Sequence, residues 1–509
     1  MNNKSLNVSA LFFQTAEQNP NALAICDGDQ QRTFGQFAAE VRATAAYFRE
    51  LGIGKGDRVL IFVPMGLDLY RVVMATFQIG ATAVFLDEWV SLDRLRLCCR
   101  LADCKAFIAN WKFRLAGWFI SEIRQIPIKP KLTYNLDNQY TETENCSESD
   151  TALITFTTGS TGTPKAADRT HQFLRYQFEA LIREIKPKPG DVVMTTLPIV
   201  LLVNFGTGAC SVVARFSPKK AHLLNPSTEL NEIKQHGVKT LIASPYFVRK
   251  LSEAAAEKAE PSSLEHIFTG GAPVFPTEAA LYHRAFPQSA ITIVYGSTES
   301  EPISSISADQ LLQHNLNGTS GGLCVGAPDA HLKLRILEIQ DAEIQGDELE
   351  NLSLPQGQIG EITVAGDHVL KAYYNNEKAF RRNKITEANG TIWHRTGDAG
   401  YLGSDGNLYL TGRCNQMIRR GGKWISPFIW ESLLAESGLV QCGAILEING
   451  ALVLAVQSIK GQPQPAEGEL QALFSEKIDQ IRFLKQIPMD PRHHSKIDYE
   501  ALRLNAGRV

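Results

Sequence analysis

The densest chemistry in the chain lies in Leu153–Ala166 (LITFTTGSTGTPKA). Apolar and β-branched residues, Leu153–Phe156, run into Thr157, Thr158, Gly159, Ser160, Thr161, Gly162, Thr163, Pro164 and Lys165. Glycines let the backbone approach a ligand closely. Successive N–H groups and hydroxyls can form an anion-binding nest, to which Lys165 adds positive charge. The segment therefore reads as a phosphate-binding loop after a buried strand. It is not a Walker A loop, because the G-x-x-x-x-G-K-S/T spacing is absent.

Further polar clusters follow in order. They are Gly270-Gly271-Ala272-Pro273, then Tyr295-Gly296-Ser297-Thr298-Glu299, then Gly360-Glu361-Ile362 with Gly366 and Tyr373-Tyr374. Next come Thr396-Gly397-Asp398, Gly412-Arg413 with Gly421-Gly422, and finally Lys496. Taken singly, such residues are commonplace on surfaces and in cores. In this order, they resemble the motifs of the adenylate-forming superfamily, which includes acyl-CoA synthetases, peptide-synthetase adenylation domains and luciferases. The resemblance covers essentially the whole chain.

The resemblance implies that a carboxylate attacks the α-phosphate of ATP, giving acyl-AMP and pyrophosphate. Such a step brings anions together and calls for charge neutralisation and positioning. By the resemblance, Thr158–Gly162 and Lys165 hold phosphates and Gly270–Pro273 flank the adenine. Tyr295 and Gly296 form the adenine face, and Asp398 and Arg413 take the ribose. Thr298 reaches the α-phosphate, and Glu299 offers a hard oxygen to Mg2+. Lys496 is the catalytic lysine between carboxylate and phosphate. The expected cofactors are ATP and Mg2+. A non-catalytic nucleotide-binding relative is the alternative of another class, against which Thr298, Glu299, Asp398 and Lys496 argue.

Val63–Arg71, Phe85–Arg100, Gly270–Thr277, Tyr295–Ile303 and Pro491–Asp498 resemble one branch, the β-lactone synthetases of bacterial olefin biosynthesis. That branch implies a β-hydroxy fatty acid whose own hydroxyl expels AMP and closes a four-membered lactone. His493 or His494 is a candidate proton acceptor. The alternative is transfer of the acyl group to CoA or an acyl-carrier protein. Leu197–Thr207 corresponds to the acyl-pocket region and carries no aspartate. Burying an α-amino group there without a counter-ion would be costly. Ile199, Val200, Leu201 and Val203 are therefore expected to line an apolar pocket, although by residue type alone the run also reads as a core strand. Two positions depart from the superfamily pattern: Asn415 at the hinge, and Ala166 where glycine is usual.

These residues need a scaffold that presents loops. Thr33 and Gln36 form a capping box ahead of a helical run ended by Gly52. Arg58–Val63 reads as a buried strand, Asp68–Gln78 as a helix, and Thr82–Leu86 and Ala152–Phe156 as strands. Strands alternating with helices imply parallel βαβ units, whose ligands sit at the carboxyl ends of the strands. Residues 338–357 read as an acidic surface excursion within a β-rich segment. Strands Cys442–Ile448 and Ala451–Val456 and a helix around Glu467–Ile478 suggest a small α+β unit. The expected fold class is α/β: a large domain over residues 1–412 with βαβ subdomains and a β-rich subdomain, and a small mobile lid over 413–509.

Composition narrows the partners. The chain has 509 residues, with 51 Lys plus Arg against 54 Asp plus Glu. That balance argues against a nucleic-acid binder. The nine cysteines contain no C-x-x-C spacing, so a disulfide framework or zinc ribbon is not expected. Cys98-Cys99 and His171 read as packing residues, and Pro218-Lys219-Lys220 as a basic turn. No signal peptide is read in the first twenty residues. The longest apolar run, near Val72–Leu86, is too short for a bilayer, which needs about 20 residues. A cytoplasmic enzyme acting on a small-molecule carboxylic acid, a fatty acid, is the expectation.

Overall fold

A computed structural model describes residues 6–86, 92–158, 164–258, 262–314, 321–489 and 496–507. Two sheets of largely parallel strands carry the first three hundred residues. One runs Ala106–Ala109, Arg58–Phe62, Thr82–Phe85, Thr151–Thr158 and Pro164–Thr170, parallel except for the last pair. The other has eight strands, with Thr240–Ala243, Val192–Thr195 and Cys210–Val213 side by side near its middle. Its strand His266–Gly270 pairs in parallel with Ala290–Ser297, which turns back antiparallel as Ser300–Ser307. Strands such as Val59-Leu60-Ile61 are buried throughout. A sheet covered on both faces by helices requires such continuous apolar runs.

Local chemistry sets the helix ends. The capping box of Thr33 and Gln36 forms as expected, at the start of Phe34–Glu50. Thr170 caps His171–Ile185 by accepting from the Phe173 N–H, which ends the strand after the phosphate loop. His171 is fully buried and its Nδ1 accepts from the Val8 N–H, a packing role. Cys98 and Cys99 are buried on Leu92–Ala102.

A β-rich sheet follows, antiparallel, built on Lys333–Leu337, Gly360–Ala365, Ile392–Leu402 and Leu408–Arg413. The acidic stretch between its first two strands forms a short helical excursion at Gly346–Leu352. Beyond Arg413 come the hairpin Ile418–Arg420/Lys423–Ile425, the helix Pro427–Ser437 and a three-stranded sheet of Cys442–Ile448, Ala451–Gln457 and Gln480–Leu484. The helix expected over Glu467–Ile478 stops at Gln471. The Gln471 side chain donates to the Glu476 carbonyl and accepts from the Ile478 N–H, folding the chain back on itself.

Candidate active site

A cavity of about 1900 Å³ opens where the carboxyl ends of both parallel sheets converge. Its wall takes residues just beyond strand ends: Val63, Leu86, Ala214, Ser244, Gly271 and Thr298. Glycine is required at the Gly270–Pro273 corner. A Cβ on Gly270 would stand 2.4 Å from the Val294 carbonyl oxygen, and Gly271 adopts φ +87°. Gly270, Gly271, Ala272 and Pro273 all line the cavity, as do Tyr295 and Gly296.

The corner carrying Asp398 is built across three strands. Asp398 and Arg413 are register partners on adjacent strands, and Arg413 Nη1 donates to Asp398 Oδ1 at 2.7 Å. The Tyr295 hydroxyl, from the other sheet, donates to Asp398 Oδ2 at 2.8 Å. Underneath, Glu361 binds Arg395 through Nε at 2.9 Å and Nη2 at 2.6 Å. The other Glu361 oxygen accepts from the Gly397 N–H at 3.2 Å, fixing the bulged stretch Thr396–Asp398 of the strand Ile392–Leu402. Both ends of this pair are buried; burial pushes the Glu361 carboxyl up and Arg395 pulls it back. Breaking such a pair costs about 3–5 kcal/mol, because the remaining charge is stranded. The Gly360-Glu361-Ile362 cluster thus acts as the foundation of the bulge that carries Asp398.

A cation-rich floor surrounds Glu299, which is 8% exposed and accepts from the Tyr373 hydroxyl at 3.1 Å. Lys165, at the end of the phosphate-loop hairpin, reaches Asn383 Oδ1 at 2.5 Å. Lys384 is 2% exposed, and its ammonium donates to the Leu370 carbonyl. Both ammonium groups lie within 6 Å of the Tyr373 ring. Burial holds the Lys165 ammonium below its ordinary value and pushes Lys384 down to about 7, while Glu299 pulls both back up. Arg413 also interacts with Glu299. A floor holding this many cations per carboxylate suits a polyanion. Lys384, Asn383 and Arg169 were not expected as site residues from the sequence. They are single polar residues in otherwise ordinary strands or helix ends.

No group of three or more His, Cys, Asp or Glu able to hold a metal exists among the described residues. One carboxylate beside bound phosphates is what Mg2+ uses in nucleotide sites. Glu299 fits that pattern, and the Asp398, Lys165 and Gly270–Pro273 surroundings fit a nucleotide.

The acyl-pocket expectation needs correction. Pro198–Thr207 is a helix, with Pro198 at its first position and Gly208 in the left-handed conformation at its end. Ile199 faces the cavity, together with Leu202. Val200 and Leu201, expected in the pocket, are 2% and 0% exposed and pack into the core instead. Val203 joins Ile199 and Leu202 at a small separate void. Helical spacing sends residues i and i+3 to one face, so the four residues cannot share a wall. Apolar side chains from other elements, including Val73, Phe77 and Leu153, complete the cavity's greasy side.

Lys496 lines the same cavity, beside Asp498 and Tyr499. Asn415 lies on the wall in the turn Cys414–Gln416, and its carbonyl accepts from Arg503 at 3.5 Å. Glu431 also lines this end; the Tyr499 hydroxyl donates to it at 2.5 Å, and burial pushes its carboxyl up to about 7. Sequence reading gave no hint of Glu431, a lone carboxylate on an apolar helix. Thr158 ends its strand at the loop. Gly159, Ser160, Thr161, Gly162, His493 and His494 lie outside the described residues.

Residues 12–374 match the family model described as AMP-binding enzyme. The chain is 29% identical to an olefin beta-lactone synthetase of Stenotrophomonas maltophilia, covering 99% of each chain. It is 27% identical to an olefin beta-lactone synthetase of Xanthomonas campestris, covering 99% of this chain and 98% of that one. Among solved structures, ATP-bound MatB from Rhodopseudomonas palustris superposes with a TM-score of 0.82 at 19% identity, over 98% of this chain and 99% of that one.

Proposed function

The chain belongs to the AMP-binding enzyme family, and from that premise we propose that it adenylates an apolar β-hydroxy acid with ATP and closes the acyl-adenylate to a β-lactone. The observation that carries the reading is the near full-length likeness to two olefin beta-lactone synthetases. The cavity is consistent with it, since an apolar side adjoins a cationic floor.

In this reading Lys165, Arg413 and Lys496 neutralise the reacting anions, and Thr298 hydrogen-bonds the α-phosphate. Asp398 orients the ribose, Tyr295 and Gly270–Pro273 flank the adenine, and Glu299 holds Mg2+, which supplies charge neutralisation. The Ile199 and Leu202 face shelters the acyl chain. The hydroxyl oxygen then bonds to the acyl carbon as the acyl–phosphate C–O bond breaks and AMP departs. Holding hydroxyl and carbonyl in attack geometry is the chain's contribution to that step. Asn415 is the proposed hinge, with the boundary between the units at residues 412 and 413. The nine cysteines are free thiols, which suits a reducing compartment such as the cytoplasm. Among the described residues, no helix is long and apolar enough to cross a membrane.

The test uses ATP, Mg2+ and a racemic 3-hydroxy fatty acid without thiol. The expected result is stoichiometric AMP and a product of the acid's mass less water, with little response to CoA. The matching acid without the 3-hydroxyl should stall as acyl-AMP. Turnover that depends on CoA or a carrier protein and ignores the hydroxyl would establish thioester formation instead.

A further inference from the structure

Most of the large apolar side chains left exposed among the described residues are far apart along the chain. One group is not. Trp111, Leu115, Trp118 and Phe119 are 68%, 60%, 71% and 89% exposed. Single exposed apolar residues are ordinary, whereas a contiguous patch marks a surface that meets something. The segment that carries this patch is firmly built. Asn110 opens the helix Trp111–Gly117, its Oδ1 accepting from the Phe113 N–H at 3.0 Å. The Arg114 side chain donates to the carbonyls of Lys129 and Pro130. Gly117 lets the helix sit close, since a Cβ there would stand 2.9 Å from Ile123 Cγ2 and 3.3 Å from the Phe107 ring. The Trp118 N–H donates to the Leu115 carbonyl at 3.2 Å and carries the turn onward. Trp111, Leu115 and Trp118 therefore fall at i, i+4 and i+7, on one stripe, with Phe119 beside them. The stripe lies away from the core. The inner face is marked by Phe113, whose ring meets that of Phe62 at 5.8 Å and which lines the cavity together with Phe62 and Leu86.

The border of the patch is basic. Between residues 111 and 131 the chain carries Lys112, Arg114, Arg124, Lys129 and Lys131 against Glu122 alone. Glu122 is already neutralised by Arg100 at 2.7 Å and Arg96 at 3.8 Å. Lys112, Arg124 and Lys131 are exposed. The Lys112 ammonium lies 5.6 Å from the Trp111 ring centroid. Arg124 is on the next helix, Ser121–Gln125, which meets the first through Ile123 and Gly117. Lys131 follows Pro130, which the Arg114 side chain holds. The chain as a whole has the opposite excess, 51 Lys plus Arg against 54 Asp plus Glu, so the positive charge is local to this face.

Charge and residue type together choose the occupant. Tryptophan and phenylalanine rings settle at the boundary between headgroups and acyl chains, while neighbouring lysines and arginines reach lipid phosphates. A second copy of the chain fits less well. A two-fold interface would set the patch against itself and bring its cations face to face. We propose that Trp111, Leu115, Trp118 and Phe119 dock the enzyme on an anionic phospholipid bilayer, with Lys112 and Arg124 meeting the phosphates. Docking places the bilayer against the outer face of a helix whose inner face bounds the cavity, about 10 Å away across the helix. An apolar acid dissolved in the bilayer would then meet the protein beside the cavity's apolar side. The docking is independent of whether the acyl group leaves as a lactone or a thioester.

The experiment is flotation of the full chain with vesicles of phosphatidylcholine, with and without about 30% phosphatidylglycerol, at low and high salt. Each cation near an anionic surface is worth about fivefold in binding. Wild type should therefore bind the anionic vesicles at least about tenfold more tightly than the neutral ones, and added salt should weaken that binding. Lys112→Glu with Arg124→Glu should lose roughly 25-fold or more on the anionic vesicles. Trp118→Ala with Phe119→Ala should lose at least about tenfold by forfeiting apolar burial, whereas Trp118→Phe should keep most of the binding. The substituted side chains are exposed, so melting temperature and ATP affinity should stay at wild-type values in every variant. Absence of vesicle binding by wild type at low salt overturns the proposal. So does binding that the Trp118→Ala, Phe119→Ala protein retains in full, or binding with no preference for anionic lipid. Self-association in sedimentation velocity that this double variant abolishes, without vesicle binding, would give the surface to a second copy and overturn the membrane assignment.

Discussion

Asp398 is the sharpest place to test the nucleotide assignment, because its partners are fully specified. Its two oxygens have about four acceptor positions between them. Arg413 fills one at 2.7 Å and Tyr295 another at 2.8 Å. Two positions remain, enough for both ribose hydroxyls. In Asp398→Asn the amide oxygen stays with Arg413, which can only donate, so the NH2 group takes the Tyr295 and ribose side. At least one hydrogen bond to a charged acceptor is lost, about 1.5–3 kcal/mol. At about 1.4 kcal/mol per factor of ten, the ATP dissociation constant should rise roughly 10- to 150-fold. Isothermal titration without carboxylic acid measures this directly, and 2′,3′-dideoxy-ATP completes the cycle. Wild type should prefer ATP over the dideoxy nucleotide by at least about tenfold, and the variant should nearly lose that preference. An equal preference in both proteins would refute the ribose role, leaving Asp398 as a purely structural partner of Arg413.

Three further outcomes are expected. Lys496→Ala should slow adenylation roughly 100- to 1000-fold, by analogy with loss of a key electrostatic donor, while ATP affinity changes little; near-normal pyrophosphate exchange would show the lysine to be misassigned. Glu299→Gln keeps an oxygen for the Tyr373 hydroxyl, so folding should survive, while half-saturating Mg2+ should rise on the order of 10- to 100-fold; an unchanged Mg2+ titration would remove Glu299 from the metal. Lys384, at about 7 instead of 10.5, carries a penalty of about 4–5 kcal/mol in its charged form at ~1.4 kcal/mol per unit. The penalty is full below about pH 7 and disappears as pH rises towards 10.5, because the folded state sheds the proton first. Wild type without nucleotide should therefore gain thermal stability relative to Lys384→Met between pH 6.5 and 9.5, and a constant offset would count against the burial argument.

What the sequence made legible was whatever sits at strand ends. Gly270–Pro273, Tyr295 and Arg413 each follow or close a buried strand, and local composition marks such corners. Less legible were groups whose meaning depends on distant partners. Arg169 is explained by Thr298, 129 residues away, and Lys165 by Asn383, 218 residues away. The helix Pro198–Thr207 was ambiguous for a different reason. A short, uniformly apolar run has no period to distinguish helix from strand. Pro198 and Gly208, at the first position and just past the end, were the available signals, and they decide which apolar residues can face the cavity.

The segment Thr298–Glu301 is where these two kinds of information meet. Its first two residues belong to a recognisable motif, and Glu299 sits among Lys165, Lys384 and Arg413. Glu301, two residues on, feels the charge of Arg169. Local sequence makes the two carboxylates look alike, as alternate members of one acidic, Ser-rich turn. Their chemistry diverges because one strand carries Lys165 at one end and Arg169 at the other, dividing the wall into a polyanion side and an apolar side. A carboxylate among several cations is suited to share a divalent ion with phosphates.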